Sequence, residues 1–327
     1  MAWTVLITDL VVGETIGELR EEGFHVRRMS EYETTGALVS DMHEFDAIIV
    51  GSGFELTAER LERAKRLKLI SKYGVGVDNI DVAAASENDI LVCNTPGANS
   101  QAVAEHALAL LLSTQRNVVS ADVALRNDQW DDETRGEFKG RELRGRTLGL
   151  YGCGNIAQRL ARFGQALGMR CVAYDPYVRE YSAQPGIEFV GSKRELFENA
   201  DVVSLHVPLT DETRGAVSHT ELERLPPDGI VVNTSRGEVL DEEALYAAIA
   251  GDEIAGAGLD VFVEEPPSPE HPLLGLDRVV ATSHLGGATT ESDREKSAYA
   301  AANVVTAYEG DIPESTINLG ALADLGW

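Results

Sequence analysis

Residues Thr147–Asp175 read TLGLYGCGNIAQRLARFGQALGMRCVAYD. Thr147–Tyr151 is an apolar run that suits a buried strand, and the glycines Gly152 and Gly154 follow it directly. Glycines there let the backbone turn sharply and approach a ligand with no side chain in the way. From Asn155 onward, Ile156, Leu160, Phe163 and Leu167 recur at helical spacing. The first turn of such a helix offers unpaired N–H groups and the positive end of a dipole, which suit a pyrophosphate. Ala157 takes the third small-residue position, where helix and strand must pack closely. Arg170–Tyr174 reads as the next strand, and Asp175 closes it 21 residues after Gly154. A carboxylate there can accept from both ribose hydroxyls of NAD and would repel the 2′-phosphate of NADP. Arg179, four residues on, is a cation that could meet that phosphate instead. Glycines alone fit a purely structural turn; the order strand, glycines, helix, strand, acid points to a dinucleotide site with NAD as cofactor.

Toward the C-terminus the alternation continues. Asp201–Val207, Gly229–Asn233, Ala255–Leu259 and Arg278–Ala281 read as strands, with helices at Lys193–Asn199, Ser218–Leu225 and Asp241–Ala250. Strands alternating with helices build a doubly wound parallel sheet. Toward the N-terminus, Trp3–Thr8, Phe24–Arg27, Asp46–Val50, Leu69–Tyr73 and Ile90–Cys93 form a second α/β set, closed by the turn Asn94-Thr95-Pro96-Gly97. Within it, Thr57 is placed to cap a helix over Thr57–Arg66. An Ala/Leu-rich helix over Ser100–Asn117 joins the two sets. The segment Val118–Arg144 reads as polar, with Trp130 and Phe138 as isolated apolar anchors. A last helix near Thr289–Glu309, with the tail through Ile317, is expected to return to the first set.

With 327 residues the chain can hold two cores. No run of 18 apolar residues and no secretory signal is present, so a cytoplasmic protein off the membrane is expected. Cys93, Cys153 and Cys171 lack metal-like spacing and read as buried small hydrophobes. There are 54 acids against 28 bases, only six of them Lys, for a net charge of −26. That field disfavours nucleic acid as a partner and makes the compact state repel itself unless salt screens it. A high-salt, halophilic surface is the favoured reading, over a merely acidic one.

In doubly wound sheets, ligands bind beyond the carboxyl ends of the strands. Arg236 follows VVNTS, Glu265 follows LDVFVE and His284 follows VVATS, all just past such ends. Each alone reads as a solvated loop charge; together, beside a dinucleotide site, they fit oxidation of an alcohol. His284 suits proton transfer near neutral pH, Glu265 would bond its other nitrogen, and Arg236 would clamp a carboxylate. His206, in LHVPLT, ends a strand at the cofactor rim, while His106 in the Ala/Leu helix reads as packing.

With these residues placed, the chain resembles the D-isomer-specific 2-hydroxyacid dehydrogenases of the phosphoglycerate-dehydrogenase type. The matching stretches are SKYGVGVDNID, NTPGANSQAVAEHALALLL, GCGNIA with YDP, LHVPLT, NTSRGEVLDEEAL, GLDVFVEEP and SHLGGAT. The resemblance implies two Rossmann-like domains, with a cofactor domain (99–285) inserted into a discontinuous substrate domain (1–98 plus 286–327). It also implies a homodimer held through the cofactor domains. Arg236, Glu265 and His284 become the catalytic set, with Arg236 and His284 also beside the nicotinamide. Asp260 would meet the nicotinamide carboxamide, and Val75, Val207, Thr234 and the Gly286-Gly287 turn would line the cofactor. Val75, Gly76, Asn99 and Arg236 would hold the substrate.

Two departures bear on the substrate. Relatives that use phosphoglycerate carry bases in the loop after the third strand, where this chain has Gly51-Ser52-Gly53-Phe54-Glu55. The chain also ends at Trp327, without room for the regulatory domain of longer relatives. A small unphosphorylated keto acid such as glyoxylate or hydroxypyruvate is therefore expected, with D-3-phosphoglycerate as runner-up. NAD-sensing corepressors keep the same three residues, and the absence of a peptide-docking extension favours the enzyme over them. Formate-type relatives pair the histidine with Gln, so Glu265 argues against that branch.

Overall fold

The computed structural model describes residues 2–8, 11–131, 136–178 and 184–322. The chain divides into two units, one made of Met1–Asn99 with Ala288–Trp327 and the other of Ser100–Gly287.

In the first unit, five parallel strands, β1 (Thr4–Ile7), β2 (His25–Arg28), β3 (Ala47–Val50), β4 (Leu69–Lys72) and β5 (Leu91–Cys93), lie in the order β2-β1-β3-β4-β5. Alternate side chains point to opposite faces, so β1 sends Val5 and Ile7 to one core and Leu6 to the other. The helix Thr290–Tyr308 covers the first of these with Ala300, Ala301, Val304 and Ala307. Small residues let it sit close. Asn303 then donates to Ser71 Oγ at 3.1 Å and accepts from Ser315 Oγ at 2.8 Å, a buried polar tie between the returning segment and β4.

Thr57 does precede a helix, Ala58–Arg63, but its side chain makes no capping bond, contrary to expectation. Thr34, Asp81 and Thr289 cap their helices in this unit through side-chain oxygens. At Thr57 the start is held instead by the backbone, which runs on from a parallel bridge between Leu56 and Ile80.

In the second unit, seven parallel strands are ordered β12-β11-β10-β9-β6-β7-β8. They are β6 (Thr147–Tyr151), β7 (Arg170–Tyr174), β8 (Ile187–Phe189), β9 (Val202–Leu205), β10 (Ile230–Asn233), β11 (Gly256–Leu259) and β12 (Val279–Ala281). The chain winds outward from β6 to β8, then restarts at β9 on the other side of β6. That reversal lies between β6 and β9, where open α/β sheets take their ligands. β8 has no signature in the sequence, because three residues are too few to show a period.

The segment after the helix Ser100–Gln115 holds a further helix, Val118–Arg126. Trp130 is not an anchor among the described residues; it is 74% exposed, and Val118, Val119, Val123 and Leu125 are exposed with it, whereas Phe138 is half-buried. The helix turns its valines outward, and no described residue covers them.

Candidate active site

Every residue assigned to the cofactor in this unit follows the carboxyl end of a parallel strand, so all fall on one edge of the sheet. Gly152 follows β6 with φ of +88°, and a Cβ there would stand 2.9 Å from the carbonyl of His206. The β6 turn is thus pressed against the end of β9, and only glycine fits. Gly154 is the N-cap of the helix Asn155–Ala166, with no side chain bonding its first amides and open space on its Cα. Asn155 and Ile156 begin the helix, and Ala157 is fully buried at the packing position. A cradle that excludes a Cβ and a helix start without a side-chain cap fit a pyrophosphate.

Asp175 ends β7. Its Oδ2 accepts from the Cys153 amide at 2.8 Å, and its Oδ1 from the amides of Tyr177 at 2.8 Å and Val178 at 3.0 Å. The carboxylate is oriented by the backbone and keeps lone pairs for ribose hydroxyls. Arg179 lies outside the described residues.

His206 places an enclosed Nε2 beyond β9 without a partner among the described residues, and burial pushes its pKa down to about 4. It is a neutral imidazole, able to contact a cofactor but not to offer it charge. Val207 is buried beside the Gly152 turn, and Thr234, after β10, carries an enclosed hydroxyl without a partner among the described residues.

Arg236, Glu265 and His284 come from the loops after β10, β11 and β12. Asn233, almost fully buried, organises the first: its Nδ2 donates to the Arg236 carbonyl at 2.9 Å, and its Oδ1 accepts from the Ser235 amide at 3.0 Å. Gly237 then lets this loop close on the next, since a Cβ there would lie 2.0 Å from the carbonyl carbon of Phe262. Within that second loop Glu265 Oε1 accepts from the Phe262 amide at 3.1 Å, and its Oε2 lies 2.8 Å from His284 Nδ1. Nδ1 is thereby taken up by Glu265, and Nε2 is the ring nitrogen turned away from it. The His284 side chain is 51% exposed, open enough to receive a substrate.

His284 has φ of +55°, in the left-handed region that non-glycine residues seldom occupy. Asp260 secures that turn. Its carbonyl accepts from the His284 amide at 2.8 Å, and its carboxylate from the amides of Leu285 and Gly286, each at 2.7 Å. Gly287 completes the turn. Burial works against a charge on Asp260, but hydrogen bonds from His106, Thr282, Leu285 and Gly286 outweigh it and hold the carboxyl below its usual range.

His106 is thus not mere packing. Its Nε2 lies 2.9 Å from Thr282 Oγ1 and 3.2 Å from Asp260 Oδ1. The apolar surroundings of His106 in the sequence concealed a contact across 176 positions. Asn233 and Gly237 were likewise missed, although an Asn and a Gly flanking a lone strand-end Arg are a readable signal.

In the other unit, Val75 is exposed, its carbonyl accepting from Asn94 Nδ2 at 2.9 Å, and Gly76 follows it in the same loop. Asn99 carries an enclosed Oδ1 without a partner among the described residues. Two cations stand behind the Gly51–Glu55 loop. Lys72 Nζ is 2.7 Å from Asn79 Oδ1 and 3.4 Å from Ser52 Oγ, and Arg60 lies 4.6 Å over the Phe54 ring and donates to the Glu55 carbonyl.

The family model for the D-isomer-specific 2-hydroxyacid dehydrogenase NAD-binding domain matches residues 108–286. The chain belongs to that family. It is 42% identical to the hydroxypyruvate reductase of Thermotoga maritima over 81% of this chain and 85% of that one. It is 38% identical to the D-3-phosphoglycerate dehydrogenase of Methanocaldococcus jannaschii over 96% of this chain but 59% of the relative, so it spans about three-fifths of that protein. Among solved structures, the NADPH-dependent glyoxylate/hydroxypyruvate reductase of Sinorhizobium meliloti, in complex with NADP and malonate, superposes with a TM-score of 0.84. It is 30% identical and covers 97% of each chain.

Proposed function

We propose that this protein is an NAD-dependent oxidoreductase that interconverts a small 2-keto acid and its D-2-hydroxy acid. The observation that carries the reading is the His284–Glu265 pair, held at 2.8 Å on the sheet edge that bears the Gly152–Gly154 turn. Bound NADH supplies the hydride. Nε2 of His284 donates a proton to the keto oxygen as C2 becomes tetrahedral, and takes it back in the oxidative direction. Glu265 fixes the imidazole tautomer and the orientation of the ring. Arg236 clamps the carboxylate and polarises the adjacent carbonyl. Val75, Gly76 and Asn99 are the candidates for the remaining substrate contacts, and Asp175 is the residue that favours NAD over NADP.

Glyoxylate or hydroxypyruvate is the proposed substrate, because the Gly51–Glu55 loop itself offers no base and one acid. A phosphorylated acid is the second reading, favoured by Lys72 and Arg60 behind that loop. The family's pattern and the exposed valines of Val118–Arg126, with Trp130, support a homodimer through the cofactor unit. Steady-state rates with glyoxylate, hydroxypyruvate and phosphohydroxypyruvate, each with NADH and NADPH, test these choices. Failure to reduce any of the three would overturn the activity, and a preference for the phosphorylated acid would overturn the substrate.

A further inference from the structure

A polar knot lies beneath the His284 turn, and its proton placement can be worked out. Thr282 Oγ1 is 2.6 Å from Asp260 Oδ1 and 2.9 Å from His106 Nε2. The hydroxyl has one proton, and the carboxylate only accepts, so that proton lies toward Asp260. His106 Nε2 must then carry the hydrogen that faces Thr282, with Asp260 Oδ1 as its second acceptor at 3.2 Å. Asp260 Oδ1 thus gathers Thr282, Leu285 and His106, while Oδ2 takes the Gly286 amide. Asp260 is 2% exposed, so water cannot readily replace a donor that is lost.

We propose that His106 is a positioning residue for the acid–base histidine: through Thr282 and Asp260 it keeps the 284–286 turn in the geometry that presents His284. The bonds of His106 run to Thr282 and Asp260, one step removed from His284. His106 supplies the donor that steadies Asp260, and Asp260 holds three successive amides of a turn whose first residue is in the left-handed region. Without that donor, Thr282 Oγ1 and Asp260 Oδ1 each lose a partner, and the carboxylate that templates the turn is held less firmly. The inference rests on the acid–base role proposed for His284.

The test compares His106→Phe, which keeps a ring but no donor, with His106→Gln, which can offer an N–H. His106→Phe should lower kcat about tenfold to a hundredfold, the scale expected for a displaced catalytic group, while KM for the keto acid stays within about twofold. His106→Gln should recover most of that loss. Amide hydrogen exchange at Leu285 and Gly286 should be faster in His106→Phe and close to wild type in His106→Gln. His106→Leu serves as the donor-free variant if His106→Phe does not fold. Wild-type kcat and wild-type protection in the donor-free variant would overturn the proposal. So would equal loss in both variants with unchanged protection, because the effect would then not run through the hydrogen bond. The exchange measurement needs no turnover. A wild-type protein inactive on every keto acid would therefore defeat the proposed function while the role of His106 in the turn was still decided.

Discussion

His284 and Glu265 meet at 2.8 Å across 19 residues of chain, Nδ1 to Oε2, while the second carboxylate oxygen is tied to the Phe262 amide. The glutamate cannot swing away without giving up a backbone bond. Replacing His284 with Ala should therefore lower kcat by about a hundredfold or more, with NADH binding retained. Glu265→Gln should lower it less, since Gln keeps an atom for Nδ1 but not the charge. Near wild-type turnover in His284→Ala would remove the acid–base assignment.

Cofactor choice should follow Asp175. kcat/KM with NADH should exceed that with NADPH, and Asp175→Ser should narrow the ratio by about tenfold or more, because one carboxylate charge facing a phosphate is lost. The same change removes the acceptor for Cys153, Tyr177 and Val178, so some loss with NADH is expected too. A wild-type enzyme that prefers NADPH would show that the carboxylate does not set the choice.

Acid should act on the fold through His206. Its pKa in the folded chain is about 4, below the 6.5 of an unhindered imidazole. At pH above 6.5 both folded and unfolded forms are neutral and the stability is complete. As pH falls toward 4 the unfolded chain takes up the proton first, so stability is lost across that window, by roughly 3 kcal/mol at most. Urea unfolding of His206→Gln should show a shallower decline over that range than wild type. Parallel curves would mean that burial of this imidazole contributes nothing.

The exposed row Val118, Val119, Val123, Leu125 and Trp130 should be the dimer contact. Val123→Asp combined with Trp130→Ser should give a monomer by light scattering at micromolar concentration, with the fold intact by circular dichroism. A wild-type protein that is itself monomeric would end this reading.

Salt should matter because of charge alone. At ~10 mM ionic strength the Debye length is roughly 30 Å, so acids across a whole face repel one another; near ~1 M it is roughly 3 Å. With a net charge of −26, the melting temperature and the activity should both rise as KCl goes from dilute to molar. A flat or falling melting curve would make the acidic surface incidental.

Much of this molecule is written locally. An apolar run, a glycine turn and a 3.6-residue period need only near neighbours, so β6, its turn, the helix Asn155–Ala166 and Asp175 could be read in order. Because parallel strands present their carboxyl ends to one edge, Arg236, Glu265 and His284 could be named as strand-end residues before any coordinate. Which residues hold them there was a matter of tertiary contact. His106 sits in an Ala/Leu helix, and nothing near it in the chain distinguishes packing from a bond to Asp260, 154 positions away. Trp130 reads in the sequence as an isolated apolar anchor, yet the fold leaves it outside together with the valines of Val118–Arg126. Thr57 has the right side chain for a cap, but the parallel bridge at Leu56 sets the backbone first. Local periodicity decides what an element is. Sheet order and burial decide whom it touches, because those energies depend on partners brought together only when the distant strands pair.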